Sequence, residues 1–414
     1  MKKLLFLLVG TLLLTLNIKA YAAFNSGSSG ALGAFNPAVD TLVALPDDGV
    51  LNYTTVNIPA GVTVTFARNT KNTPVYMLAT GDVIIAGTIN VGSTALDVTK
   101  GGPGGFDGGY AAVPNLQGGT GLGPGGGGSS IGSTYTPYVN GGGGGFGSAG
   151  VSDHNSAGGV VYGNQSLVPL IGGSGGGGGG WNNGNTSGNG GGGGGAIVIA
   201  SSASITVDGS ITANGRVGSA GTYFNSGGAG SGGAIKLVAN VIGGNGNISA
   251  VGGVSSTSGG SGRVRIEAFA NNRTAATNPP YSFGNPGNIF VPNLPSLNIT
   301  SVAGYGVPAS ASGSYSQPDI LLPSATSNPV TVNLSAANIP INTVIKVRVV
   351  PQYGSATSVN TSLTGTQQAS TATANITLTT NYANVITAEA TFTVVAMYYN
   401  GEEIERIRVE LPSV

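Results

Sequence analysis

Glycine in this chain is gathered rather than spread. The 414 residues include 75 Gly, crowded into tracts such as Gly141 to Gly145, Gly175 to Gly180 and Gly190 to Gly195. Ordering one residue costs about 1–2 kcal/mol, and glycine loses the most freedom. One net hydrogen bond returns only about 0.5–1.5 kcal/mol. Glycine alone therefore does not order itself. Other residues are spaced among the tracts, however: Phe106, Tyr110, Phe146, Val160, Val161, Tyr162, Leu167, Val168, Leu170, Ile171 and Trp181. A pure linker has no need of them. Burying one large side chain is worth about 1.5–3 kcal/mol, enough to pin several glycines. The expectation is that the tracts lie extended in a geometry like polyproline II, pack closely for want of Cβ atoms, bond to one another and are anchored by these apolar residues.

The tracts fall in insertions over 100–195 and 215–233, with a shorter one at 252–262, and a repeat runs between them. Val75–Ala79 leads to Val83–Ile85 and then Gly87-Thr88-Ile89-Asn90-Val91. Ala196–Ala200 leads to Ile205–Val207 and then Gly209-Ser210-Ile211-Thr212-Ala213. Ala234–Val238 leads to Val241-Ile242 and then Gly246-Asn247-Ile248-Ser249-Ala250, and a fourth copy begins at Gly262-Arg263-Val264-Arg265-Ile266-Glu267-Ala268. Upstream, Val62, Val64 and Phe66 alternate with period two, the mark of a strand. Short strands recurring roughly every 20 residues once the insertions are set aside indicate a solenoid, in which each unit buries its face only against its neighbours. A propeller needs four strands per blade and a sandwich needs tight hairpins, so the expected fold is a parallel β-helix with Ile89, Ile211 and Ile248 stacked.

After Asn271 the glycine density falls, and Pro279, Pro280, Pro286, Pro292 and Pro295 read as a linker. Strands are expected at 297–303, 318–322, 329–335, 343–351, 370–378, 385–398 and 403–411. Asn400-Gly401 between the last two is a hairpin signal. Seven short strands suit a β-sandwich. The expected division is a signal peptide at 1–22, a Gly-rich parallel β-helix at 23–270, a linker at 271–296 and a β-sandwich at 297–414.

The beginning reads as an export signal. Lys2 and Lys3 precede the apolar run Leu4 to Leu16, and Ala20-Tyr21-Ala22 fits the cleavage rule. That run is shorter than the roughly 20 residues a membrane span needs. The absence of Cys removes lipid attachment and disulfides alike. Lys+Arg and Asp+Glu stand at 15 each, and only 7% of residues are charged. No basic patch is visible, so nucleic acid is not an expected partner.

Chemistry is scarce. The single His, His154, lies in Ser152-Asp153-His154-Asn155-Ser156, and neighbours in one loop cannot form a relay. One His without Cys makes a poor metal site. The carboxylates open to lyase or glycosidase work are Asp82, Asp97, Asp107, Asp208 and Glu267, of which Asp82 and Asp208 sit where Asp is simply a good turn former. Gly101-Gly102-Pro103-Gly104-Gly105-Phe106-Asp107 nearly echoes a calcium repeat, but its Asp falls one place late. No phosphate loop is present. No catalytic, metal or cofactor residue is therefore assigned.

On the Gly-[Thr/Ser/Asn]-Ile-[Asn/Thr/Ser] repeat, the segment Val56-Asn57-Ile58-Pro59-Ala60-Gly61-Val62-Thr63-Val64 and the Gly-Gly-Ala-Ile strands, the chain over residues 40–270 resembles glycine-rich secreted bacterial β-helix proteins of adhesin-like type. The C-terminal part resembles immunoglobulin-like or fibronectin-III-like modules in architecture alone, since it lacks their Cys pair and core Trp. The resemblance implies an exported structural or adhesive protein at the cell surface or in the matrix, contacting polysaccharide or protein, with end-to-end association open to the solenoid ends. The alternative is a carbohydrate-binding or carbohydrate-active β-helix, using Tyr135, Tyr138, Tyr162 and Trp181 as stacking platforms. A smaller third possibility is a flat repetitive face that binds a crystalline surface.

Overall fold

In the computed structural model the described residues are 23–93, 97–130, 139–181, 186–222, 225–399 and 402–413, with side chains described as far as Thr391. Residues 1–22, expected as a signal peptide, and Tyr135 and Tyr138 lie outside them. The described residues are all-β, with no helix and hence none able to cross a membrane as a helix.

The N-terminal unit repeats short strands in successive segments. The first contributes β1 (Thr41–Ala44), β2 (Val50–Tyr53) and β3 (Val56–Ile58); the second, β4 (Thr63–Ala67), β5 (Val75–Ala79) and β6 (Val83–Ile85). The third holds β7 (Thr88–Asn90) and β8 (Ala196–Val207), the fourth β9 (Ser210–Thr212) and β10 (Ala234–Gly243), and the fifth β11 (Asn247–Ser249) and β12 (Arg263–Asn271). β13 (Tyr281–Gly284) follows. Corresponding strands pair in parallel, giving one sheet in the order β1-β4-β7-β9-β11 and another in the order β13-β12-β10-β8-β5-β2, with β6 joining β3 to β8.

Register follows from the aliphatic residues, because a one-residue slip would turn each of them out of the core. Val64, Ile89, Ile211 and Ile248 are successive partners across the first sheet, each fully buried. Leu51, Met77, Ile199, Leu237 and Ile266 form the matching column in the second. All belong to one hydrophobic cluster. The stack does not stop at residue 270, where the sequence suggests a linker. β13 pairs in parallel with β12, and Tyr281 packs on the core. Asn278 covers the free edge of β11, donating to Ile248 and accepting from Ala250. Arg273 is buried and donates to the carbonyls of Val207, Gly244 and Gly246, tying successive turns together.

The C-terminal unit has two antiparallel sheets. β14 (Ser296–Val302), β15 (Tyr305–Gly306), β16 (Val330–Ala337), β19 (Thr364–Gly365) and β20 (Ser370–Ile376) form one, in the order β15-β14-β16-β20-β19. β17 (Val344–Pro351), β18 (Thr357–Ser362), β21 (Asn384–Tyr399) and β22 (Glu402–Ser413) form the other, in the order β18-β17-β21-β22. Leu334, Ile345, Val347, Ala372 and Ala388 from both sheets share one cluster, so the sheets pack face to face. The expected strand at 318–322 is absent; there Asp319 accepts from the backbone of Ser312 and Gly313 and holds a loop. β18 is an unexpected edge strand, its one apolar residue Val359 flanked by Thr, Ser and Asn.

Candidate functional site

The described residues of the insertions at 100–195, 215–233 and 252–262 form an ordered lattice of extended tracts. Residues 174–180 lie at its centre. Gly175 and Gly178 donate to Leu122 and Gly119, Gly176 and Gly179 to Gly191 and Gly188, and Gly177 and Gly180 to Gly142 and Val139, at 2.7–3.1 Å. The carbonyls of Gly175 and Gly178 accept from Gly127 and Ser130, those of Gly176 and Gly179 from Gly109 and Ala112, and those of Ser174 and Gly177 from Ser231 and Gly228. Every third residue thus addresses the same neighbour, the period of polyproline II. Three neighbouring tracts accept from the central one and three donate to it, six in all.

Residues 225–233 form a second such centre. They donate to tracts at 213–219, 174–177 and 257–260, and accept from tracts at 188–194, 141–144 and at Gly253. None of Gly175 to Gly180 has a positive φ, so handedness is not the reason for glycine here. The reason is proximity: a Cβ on Gly177 would stand 2.0 Å from the Gly128 carbonyl oxygen, and one on Gly178 would stand 1.8 Å from that of Tyr110.

Apolar anchors fasten the lattice to the outer face of the larger parallel sheet. Phe146, Tyr162, Leu167 and Leu170 pack against Ala196, Val198, Ala200, Ala234 and Val238. The Tyr162 hydroxyl donates to the Gly172 carbonyl at 2.6 Å and accepts from Ser174 Oγ at 3.0 Å. Tyr162 is 3% exposed and its ring lies 4.7 Å from that of Phe146. It serves as an anchor and offers no open face to a sugar. Trp181 is half-buried at the far end of the central tract. Tyr135 and Tyr138 lie outside the described residues. Val160 and Val161, expected as anchors, are exposed.

Four of the carboxylates singled out in the sequence have side-chain partners. Asp107 is paired with Arg68 and with Lys100 and accepts from the Gly101 N–H, joining the first tract to the turn after β4. Burial pushes its carboxyl up, but the Arg68 and Lys100 charges and the hydrogen bonds from Lys100 and Gly101 outweigh burial and hold it below the usual range. Glu267 is buried between Lys236 and Arg265. Asp82 Oδ1 accepts from Ser204, and Asp97 Oδ1 from Thr99. Asp208 sits in the turn between β8 and β9. His154 is exposed beside Asp153, at 2.9 Å.

The C-terminal unit docks on the lattice. Arg348 of β17 is buried and donates to the Gly123 carbonyl at 2.6 Å. Leu122 packs with Val350 and Val385, joined by Phe106 and Tyr315. Burial lowers the Arg348 pKa, opposed by Glu389 and Tyr315. Burial raises that of Tyr315, whose hydroxyl donates to the Val350 carbonyl at 3.2 Å.

A groove of about 520 Å³ opens where the lattice leaves the smaller parallel sheet. Ile89 and Ile211 point inward, so Asn90 and Thr212 point outward into it. Asn214 and Arg216 follow on the tract after β9, opposite Ser93, with Val98 and Val217 as apolar walls. Sequence reasoning passed over these residues. Their signal was the polar position after each repeated Ile.

Comparison with protein-family models, with curated proteins and with solved structures finds no match to this chain.

Proposed function

We propose that the chain is an exported, non-catalytic structural or adhesive protein of the cell surface or extracellular matrix. In this reading the parallel unit is a β-helix whose coils are interrupted by the glycine insertions, and the antiparallel unit is an immunoglobulin-like sandwich braced against them. The observation that carries it is the six-neighbour environment of residues 174–180. Such a lattice satisfies its own backbone donors and acceptors and so makes a stiff platform. It holds Ala112, Ser130, Val139, Gly180 and Gly188, the far ends of several tracts, close to one level through direct or neighbouring hydrogen bonds. Segments between those ends can then be displayed with little entropy left to lose on contact. Protease accessibility on intact cells, with an attachment assay of a deletion strain, tests this. Surface exposure with reduced attachment is expected; confinement inside the cell with normal attachment contradicts it.

The groove favours a second reading, a carbohydrate-binding protein. It is concave, lined by carboxamide and hydroxyl groups, and bounded by two valines, a lining suited to polyols.

A further inference from the structure

We infer that a second groove, on the outer face of the β14-β16-β20 sheet, binds a neutral, extended glycan through hydroxyl and carboxamide groups. The inference rests on the carbohydrate-binding reading, gives it a site on the antiparallel unit and narrows the ligand to uncharged polymers.

Alternation along the strands decides which residues face outward. Leu297, Ile299, Leu334, Ala336 and Ala372 lie in the core, so Asn298, Ser335 and Thr371 beside them point to solvent. Asn298 pairs with Ser335, Ser335 with Thr371 and Thr371 with Thr364, so four polar side chains cross four strands in one row. With neighbouring strands about 4.8 Å apart, the row is about 14 Å long. The turn from β19 to β20, closed by reciprocal backbone hydrogen bonds between Thr366 and Ala369, adds Gln368 to the lining. Small residues at Ala337, Gly365 and Ala369 leave room for a depression of about 550 Å³.

The two halves of this face differ. Outside the groove the polar groups satisfy one another. Thr373 Oγ1 donates to Asn333 Oδ1 at 3.1 Å, Asn333 Nδ2 to Ser301 Oγ at 2.9 Å, and Thr331 Oγ1 to Asn375 Oδ1 at 3.1 Å. Inside the groove the side chains of Ser296, Asn298, Ser335, Thr371 and Gln368 have no hydrogen-bond partner among the described residues. Each of these hydroxyls and carboxamides can both donate and accept, as a sugar hydroxyl can.

Charge selects among sugars. The five strands of this sheet contain no Asp, Glu, Lys or Arg, and neither does the groove lining. A soluble surface ordinarily carries both signs of charge. Here nothing would offset the desolvation of a charged ligand, whereas a neutral one can exchange its water for the free donors and acceptors of the row. Groups recurring in equal steps across the strands suit an extended chain better than a single sugar.

The test titrates the chain from Ala23 onward calorimetrically with cellopentaose and with pentagalacturonate. Cellopentaose is expected to bind with an affinity that added salt leaves unchanged, and pentagalacturonate to bind at least about tenfold more weakly. Ser335→Arg sets a long charged side chain in the middle of the row and should lower cellopentaose affinity at least about tenfold. Asn298→Ala removes the carboxamide at one end and should lower it several-fold. Thr331→Ala, on the same face but outside the groove, should leave affinity unchanged, and unfolding midpoints verify that each variant is folded. Cellopentaose affinity unchanged in folded Ser335→Arg and Asn298→Ala overturns the inference at this groove while leaving the sugar-binding reading in place. Pentagalacturonate bound as tightly as cellopentaose overturns the restriction to neutral glycans. Binding of neither overturns the inference, and an array of other neutral and acidic oligosaccharides then decides the sugar-binding reading by itself.

Discussion

Gly177 and Gly128 belong to adjacent tracts whose backbones approach so closely that a Cβ on Gly177 would lie 2.0 Å from the Gly128 carbonyl oxygen. The Gly177 amide meanwhile donates to Gly142 and its carbonyl accepts from Gly228. One residue therefore touches three different tracts, and no side chain larger than hydrogen fits among them. Substitution here should act as overpacking of a core, although the residue has no side chain. Gly177→Ala should destabilise the protein by about 3 kcal/mol or more. Gly243, at the end of β10, has nothing within 4 Å of its would-be Cβ and no positive φ. Gly243→Ala should fall within about 0.5 kcal/mol of the parent or stabilise it slightly. Urea unfolding of the two variants measures the contrast.

Some of this was legible in the sequence and some was not. Ile89, Ile211 and Ile248 announced the parallel stack, because period-two alternation and a long repeat both point to the same buried column. The close packing of the tracts followed from the missing Cβ together with the aromatics, and Phe146 and Tyr162 do anchor them. Which tract bonds to which was illegible, because a glycine run carries no side chains that distinguish one register from another. Val160 and Val161 looked like anchors but are exposed, since hydrophobic composition without periodicity does not reveal direction. Segment 271–284 read as a linker because prolines mask a strand that pairs at the edge of a sheet, where proline is tolerated. β18 was missed because its inward face carries a single apolar residue, Val359, beside Thr361, and one residue shows no apolar alternation.

Asp107 makes stability depend on pH in a defined sense. Its carboxyl titrates lower in the folded chain than in the unfolded one. Its contribution is therefore fully present above the unfolded value, about 4, and is lost as pH falls through the folded value. Asp107→Asn should be less stable than the parent at pH 7. The gap should persist to pH 5 and shrink below about pH 4 as the parent's carboxylate is protonated. Urea midpoints at pH 7, 5 and 3 show whether the gap closes in that order.

Arg348 couples the two units through Gly123. Arg348→Met keeps much of the buried stem and removes the donor, leaving the Gly123 carbonyl without it. That carbonyl keeps the Gly126 N–H, so the loss is one hydrogen bond from a charged donor, worth about 1.5–3 kcal/mol. The loss should fall on the docking seam, so calorimetry of the variant should resolve an earlier melting of the C-terminal unit. A single transition lowered as a whole would place Arg348 in the stability of both units rather than in their coupling.

The most direct test is amide hydrogen exchange across Gly175 to Gly180. Because each of these amides donates to a neighbouring tract, all six should be protected, with opening free energies close to that of the β8–β10 ladder. Exchange at the rate of free peptide, while the Ile199 and Leu237 amides remain protected, would contradict the lattice and the platform built on it.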